Sequence, residues 1–460
     1  MNARYQVKEK LLPLTLAVSA MIVSLVVPEG FNYAEGLVTS SSGFNRTLWL
    51  LLLGFGLYAL GRHLKECKKV FLGNRYLVAL TALALLSYFW STEPSVTMRR
   101  IMRILAVFSV CISFAAAMKT TRSFQSSIRP VLTLLLGGSI IFALTAPQFG
   151  VEQLPMAELV GAWKGLTTQK NALGALATLG TLFWLHAWIS KQSRQPWPMI
   201  GTIISLICLI KSRSSTSIMA TLFSSVLMLM LMRSPGSLKR YMPYLVGIFV
   251  TVILIYSLAV LKVIPGSDVL LSPIAAITGK DLTFSGRTAI WDIVSAHSRL
   301  HPFLGTGYGG YWVGPDPASA SFETLVKLEF YPSEAHNGYL DIMNDLGWIG
   351  ELFLLGYVIT YLRQALKLYR LDRGQGAIYL VILFHQMIGN LSESMWFNVL
   401  VVEFVIVTLA SFCLTRALQL HEEQARRTAH QPVTATPVPA SPQHRHTAAP
   451  PRSVWDKLRR

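Results

Sequence analysis

The feature that most constrains this chain is the recurrence of apolar runs. There are twelve: Leu11–Val27, Leu48–Leu60, Tyr76–Trp90, Ile101–Met118, Val131–Ala146, Ala172–Ile189, Met199–Ile210, Ile218–Met232, Tyr244–Val263, Trp348–Leu362, Ala377–Leu391 and Phe397–Leu414. With their flanks they approach the roughly 20 apolar residues that cross a bilayer. Inside hydrocarbon every backbone polar group must be bonded within the protein, so such runs become helices. Composition agrees: 52% of residues are hydrophobic and 14% charged, against about 25% charged in soluble domains. The expectation is an all-α polytopic membrane protein of about twelve transmembrane helices.

Charge orients the spans. Most of the 41 Lys and Arg fall in alternate linkers, at the N-terminus and after Arg416. The positive-inside rule then puts both termini in the cytoplasm and the long polar interval 265–340 outside, in a periplasm. The net charge of +18 fits cytoplasmic loops and anionic membrane lipids rather than nucleic acid. Residues 1–264 are read as spans one to nine, with the basic N-terminus and first apolar run kept as a span. Residues 265–340 are the outer, partly helical loop, residues 341–420 spans ten to twelve, and residues 421–460 a disordered cytoplasmic tail rich in Pro, Ala and Thr. Cys67, Cys111, Cys208 and Cys413 lie in or beside spans, which argues against a disulfide framework or a thiolate metal site.

The outer loop concentrates the reactive groups. Arg287 opens a helix-like run, and Glu334, His336, Asn337 and Asp341 stand where the chain re-enters the membrane. A histidine with an ordinary pKa of about 6.5 can accept a proton from a hydroxyl near neutral pH, with Glu334 or Asp341 orienting it. Asn337–Gly338 suits a tight turn. Arg99, Arg100 and Arg103, and Lys211 and Arg213, place positive charge on the outer side, against the topological rule. Either they snorkel to lipid phosphate or they hold an anionic ligand, for which the arginine fork suits a phosphate. Lys170 and Asn171 start the sixth span, where phosphate is favoured; an ordinary capping role for Asn171 is equally consistent. The glycine-dense 305–312 segment does not lie between a strand and a helix, so it is read as tight turns, with Tyr311 or Trp312 offering a sugar a stacking surface. No spacing suggests a metal.

Five segments in order, YFWSTEPSVTMRR, WKGLTTQKNALG, KSRSSTS, SGRTAIWDIVSAHSRLHPFLGTGYGGYW and EAHNGYLDIMNDLGWIGELF, resemble the O-antigen ligase and O-antigen or exopolysaccharide polymerase family. The resemblance runs from about Tyr88 to Phe353. It implies a fold similar to the class C glycosyltransferases of the bacterial inner membrane. It implies an undecaprenyl-diphosphate-linked glycan as donor, a glycan or lipid A-core acceptor, polysaccharide-assembly partners, and no metal or other cofactor. By the same resemblance Arg213, Arg287 and His336 would be the functional arginines and histidine. Members often carry a second histidine where this chain has Glu334. The WKGLTTQKN stretch looks more like the polymerases than the ligases.

The residues themselves leave other classes open. A lipid-linked sugar transporter or flippase would need charges within the spans and an alternating pathway. Here the charges gather at one face, which favours an enzyme. With no carboxylate pair suggesting a covalent intermediate, the expected outcome is inversion. Deleting residues after Glu423 should leave turnover nearly intact, because the tail lacks a core-forming pattern; an assay of the truncated, normally expressed protein checks this.

Overall fold

The computed structural model describes residues 3–28, 43–153, 160–233, 240–260 and 287–429. The first third of the outer loop (265–286) and most of the tail lie outside the described residues. The chain divides into two compact units, Met1–His421 and Glu422–Arg460; of the second, residues 422–429 are described and are helical. The only strand-like pairing among the described residues is an isolated bridge between Val151 and Trp163.

The helices are α1 (Ala3–Val26), α2 (Gly43–Arg62), α3 (Leu64–Gly73), α4 (Arg75–Leu86), α5 (Pro94–Ala117), α6 (Ser123–Thr145), α7 (Pro147–Gly150), α8 (Lys170–Ile189), α9 (Trp197–Lys211), α10 (Ser215–Arg233) and α11 (Met242–Val260). There follow α12 (Arg287–Ser298) and α13 (Phe322–Leu328) in the loop. The last three are α14 (Gly338–Leu371), α15 (Arg373–Gly389) and α16 (Val402–Ala429). The protein is an all-α, multi-pass membrane protein. Within the described residues each of the twelve apolar runs falls on a helix, but seven helices are long and apolar enough to cross, or eight if the bent pair α3–α4 is one span. For two of the other runs the difference is one of length. α9 and α15 have 15 and 17 residues, about 22–26 Å at 1.5 Å per residue, short of a hydrocarbon core of about 30 Å.

Packing follows small side chains. A Cβ on Gly180 would come within 2.5 Å of Leu136 and 2.6 Å of Ser205, and one on Gly174 within 2.6 Å of Ser217, so α8 approaches α6, α9 and α10 closely, as membrane helices do at small residues. Leu51 and Leu57 on α2, and Leu222 and Phe223 on α10, stay exposed, as a lipid-facing surface requires.

The loop is tied to the bundle at a break in α14. Gly347 has φ 64° and ψ −164°, a conformation essentially reserved for glycine. Helical bonding stops there, and the glycine-dense loop takes over the released groups. Thr306 N donates to Asn344 O and Gly307 N to Asp345 O, both at 3.0 Å, while Trp348 N donates to Pro302 O at 2.8 Å. Gly309 N reaches Asp345 Oδ2 at 2.7 Å. The segment before α5 closes the other side: Thr92 N donates to Thr306 O at 3.0 Å and Trp90 Nε1 to Leu304 O at 3.1 Å. Tyr311 and Trp312 are not a sugar-stacking surface. They are 0% and 8% exposed, packed with Ile290, Trp291, Val294 and Leu340, because the loop needs a small core of its own.

Two measurements check this architecture. Gly347→Ala would add a Cβ 2.3 Å from the Phe303 carbonyl carbon in a forbidden conformation, so thermal unfolding in detergent should show a loss of at least about 1–3 kcal/mol. Cysteines at the exposed Lys327 and in the tail at Ser441 should label with an impermeant reagent from opposite sides of the membrane.

Candidate functional site

His336 stands one residue before the Asn337 that caps α14, and its placement is heavily determined. Asn337 Oδ1 accepts from Tyr339 N at 3.1 Å and Leu340 N at 3.2 Å, the usual capping arrangement. On the other side Ala335 is pinned twice: its N donates to Asp341 Oδ2 at 3.1 Å, and its O accepts from Trp291 Nε1 at 2.9 Å. Asp341 also accepts from Trp312 Nε1 at 2.7 Å and from Ser394 Oγ. It braces the backbone and does not orient the imidazole. Between these anchors His336 adopts φ 50°, a left-handed conformation costing about 1–3 kcal/mol for a non-glycine residue.

The ring meets two carboxylates. His336 Nδ1 lies 2.9 Å from Glu334 Oε1 and 3.3 Å from Glu393 Oε2. Glu393 Oε1 in turn accepts from Arg287 Nη2 at 2.9 Å and from Asn171 Nδ2 at 3.0 Å. Arg287, Glu334, His336 and Glu393 are all partly buried, with side chains 12–22% exposed. Glu393 sits in the turn between α15 and α16, held by Glu393 N to Gly389 O at 2.9 Å, while its own carbonyl and that of Asn390 accept from Gly338 N. A Cβ on Gly338 would lie 1.8 Å from Asn390 Oδ1, so only glycine lets the turn close against the start of α14. A cavity beside the cluster is lined by polar residues including Asn171, Thr167, Glu334 and Glu393 and by apolar residues including Leu176 and Val401.

The electrostatics follow from this contact set. Burial opposes charge on His336, but the hydrogen bonds and charges of Glu334 and Glu393 outweigh it and push the imidazole up to about 10. Burial pushes Glu334 up, with His336 offsetting part of the rise. Burial would raise Glu393 too, but His336 and Arg287 hold it below the usual carboxylate range. The neutral ring expected from the sequence is therefore an imidazolium at neutral pH, since two carboxylates rather than one lie on Nδ1. Glu334, His336 and Glu393 bring their ligand atoms within 4.8 Å of one another, so they could also hold a cation, in competition with Arg287 for Glu393.

Apart from Asn171, the other sequence candidates lie outside the cluster. Asn171 does not cap α8; Gln169 precedes the helix, and the Asn171 amide is spent on Glu393. Lys170 opens α8 beside it. Arg213, with φ 51°, gives Nη1 to Val160 O at 2.7 Å. Lys211 lies 5.6 Å from the Trp163 ring, and its carbonyl accepts from Trp163 N at 2.8 Å. These two residues hold the 160–169 segment that leads to Asn171. Arg100 donates to Trp312 O at 3.3 Å and holds the glycine-dense loop. Arg103 lies 5.5 Å from the Trp49 ring. Sequence reasoning missed Glu393. The signal was an acidic residue, LSES, in the short link between two apolar runs.

The first residue of α12, Arg287, carries a positive charge where the helix dipole disfavours it; the Glu393 ion pair offsets that cost. Because the folded pKa of His336 is raised above its unfolded value of about 6.5, its stabilising contribution is complete below about pH 6.5. It is lost as pH rises through about 10. The difference in melting temperature between the protein and its His336→Gln variant should accordingly be largest near pH 6 and shrink toward pH 10.

Comparison with known proteins agrees with the motifs. Residues 200–355 match the family model described as O-antigen ligase. The chain is 28% identical over 297 residues to the exopolysaccharide production protein ExoQ of Rhizobium meliloti (strain 1021), an alignment covering 64% of this chain and 65% of that relative. The resemblance to the O-antigen ligase and polymerase family is thereby borne out. The family match contains Arg213, Arg287, Glu334, His336 and Asn337; Arg100, Lys170, Asn171 and Glu393 lie outside it.

Proposed function

We propose that this protein is a membrane glycosyltransferase of the inner membrane. It moves a glycan from an undecaprenyl-diphosphate donor to an acceptor hydroxyl, as a polysaccharide polymerase. The observation that carries the reading is the convergence of Arg287, His336, Glu334, Glu393 and Asn171, from four separate segments, beside a cavity lined by both polar and apolar residues. Two cations in a partly buried place suit a diphosphate, and the apolar lining residues suit the lipid that bears it. The family match supports glycan handling at a membrane, and the likeness to an exopolysaccharide production protein favours polymerisation over transfer to lipid A-core.

In this reading the diphosphate displaces Glu393 from Arg287, and the guanidinium and the imidazolium stabilise the charge that grows on the leaving phosphate. The acceptor hydroxyl attacks the anomeric carbon from the opposite face and the sugar–phosphate bond breaks. Its proton passes to Glu334, the carboxylate that burial makes more basic and therefore better matched to neutral pH. His336 keeps its proton and links the base to the diphosphate site. Arg213, Lys211 and Arg100 act by holding the segments that enclose the donor, and Lys170 adds positive charge beside Asn171 at the start of α8. The structure does bring two carboxylates together, but in this reading Glu334 is the base and Glu393 the resting partner of Arg287, so neither is the nucleophile; the reaction inverts the anomeric centre and draws on no metal.

Purified protein with an undecaprenyl-diphosphate-linked oligosaccharide and a matching acceptor should elongate the glycan. Arg287→Lys keeps the charge but loses the fork, and should cost roughly 2–4 kcal/mol of transition-state stabilisation. Glu334→Gln should cut turnover by about 10²–10⁴-fold while donor binding survives. Near-unchanged turnover in Glu334→Gln would remove the base role. Donor translocation without product would make the protein a transporter, and product only with lipid A-core would make it a ligase.

A further inference from the structure

Away from the site, α3 has a geometry and a surface that glycan transfer does not use. Leu64–Gly73 meets Arg75–Phe89 at 94° across the break at Asn74. Its ten residues rise about 15 Å, half a hydrocarbon core. Taking α4, which packs against α14, as the crossing part of this pair places α3 along the membrane plane. Its inner face is fixed: Cys67 and Val70 are buried, α3 packs on α5, and Asn74 Nδ2 donates at 2.9 Å to both Val70 O and Thr415 Oγ1. Gln364 Nε2 donates to Gly73 O at 2.7 Å.

The outer face is mixed. Leu64, Phe71 and Leu72 are 60%, 44% and 63% exposed, and Lys65, Lys68 and Lys69 are exposed among them. Water would leave the Leu and Phe side chains unfavourably solvated, and hydrocarbon would exclude the lysines; a headgroup layer accommodates both. Exposed Arg62 and Arg75 flank the helix, and Glu66 is the one acidic residue between them. None of the three lysines forms an ion pair with a carboxylate among the described residues.

We propose that α3 is an in-plane helix whose lysines bind the phosphate headgroups of anionic phospholipids, on the membrane face opposite the Glu334–His336–Glu393 cluster. The opposite placement follows from α16. Its first residues, Val402 and Glu403, line the cavity beside Glu393, whereas Thr415, which bonds Asn74, lies about 20 Å further along the helix.

The test uses the full chain in nanodiscs of phosphatidylcholine with and without phosphatidylglycerol. Phosphatidylglycerol should raise the melting temperature of the protein, of its Lys65→Arg/Lys68→Arg/Lys69→Arg variant and of the control Lys191→Gln/Arg194→Gln. The corresponding triple Gln variant should lose the shift, with apparent affinity for phosphatidylglycerol down roughly tenfold or more. An equal shift in the triple Gln variant, or a shift reproduced by inorganic phosphate alone, overturns the proposal. A spin label at Leu72→Cys gives an independent reading: headgroup depth supports it, and accessibility equal to a water-exposed site, or burial at bilayer centre, overturns it even where the Gln variant fails to fold.

Discussion

The arrangement depends on backbone hydrogen bonds released at Gly347. A helix entering a membrane must satisfy each amide and carbonyl internally, because no water is available to do so. Where α14 breaks, Asn344 O, Asp345 O and Trp348 N would be left without partners. The 302–309 segment supplies them all, and glycines at 305 and 307, both with positive φ, let its backbone come close enough. This join fixes the loop relative to the bundle. α12, which begins with Arg287, precedes the segment in the chain, and His336 precedes α14, so both functional groups are referred to one rigid seam.

A second seam sets the other half of the site. The turn after α15 folds back through Asn390, whose Oδ1 accepts from Met395 N at 2.9 Å and Trp396 N at 2.6 Å. It presses on Gly338, where no side chain intervenes. Glu393 is thereby held over Arg287, Asn171 and His336 at once. With two cations and an amide around it, Glu393 stays ionised although it is largely buried, as a paired buried charge can. His336 shares the benefit and keeps its proton. A site resting as neutralised pairs avoids burying uncompensated charge before a ligand arrives, and an anionic ligand would enter by exchanging partners with a carboxylate.

How much of this was legible differs by level. Helical class and membrane residence were plain from the apolar runs, since backbone satisfaction in hydrocarbon leaves few alternatives. The number of crossings was not, because a 15-residue helix such as α9 has the same composition whether it spans, stops short or bends. His336 and Glu334 could be picked out as polar residues ahead of a predicted span, Arg287 as the start of a helix-like run in the outer loop, and Asn337 as a turn residue, though not as the cap it is. Glu393 escaped, as did the true partner of Asn171, because neither residue has a local pattern that names a contact more than 220 positions away. Tyr311 and Trp312 were misplaced for the same reason: exposed stacking and a small buried core need the same aromatic side chains.

By itself, then, the sequence determined the solvent the protein lives in, the element type and a short list of reactive groups, all of which follow from local composition and period. Only the tertiary structure decided what those groups are chemically. The proton on His336, the charge on Glu393 and the raised basicity of Glu334 are set by distances of 2.9–3.3 Å between segments distant in the chain. Electrostatic interaction in a partly buried place depends steeply on such distances, and no local signal in a sequence encodes them.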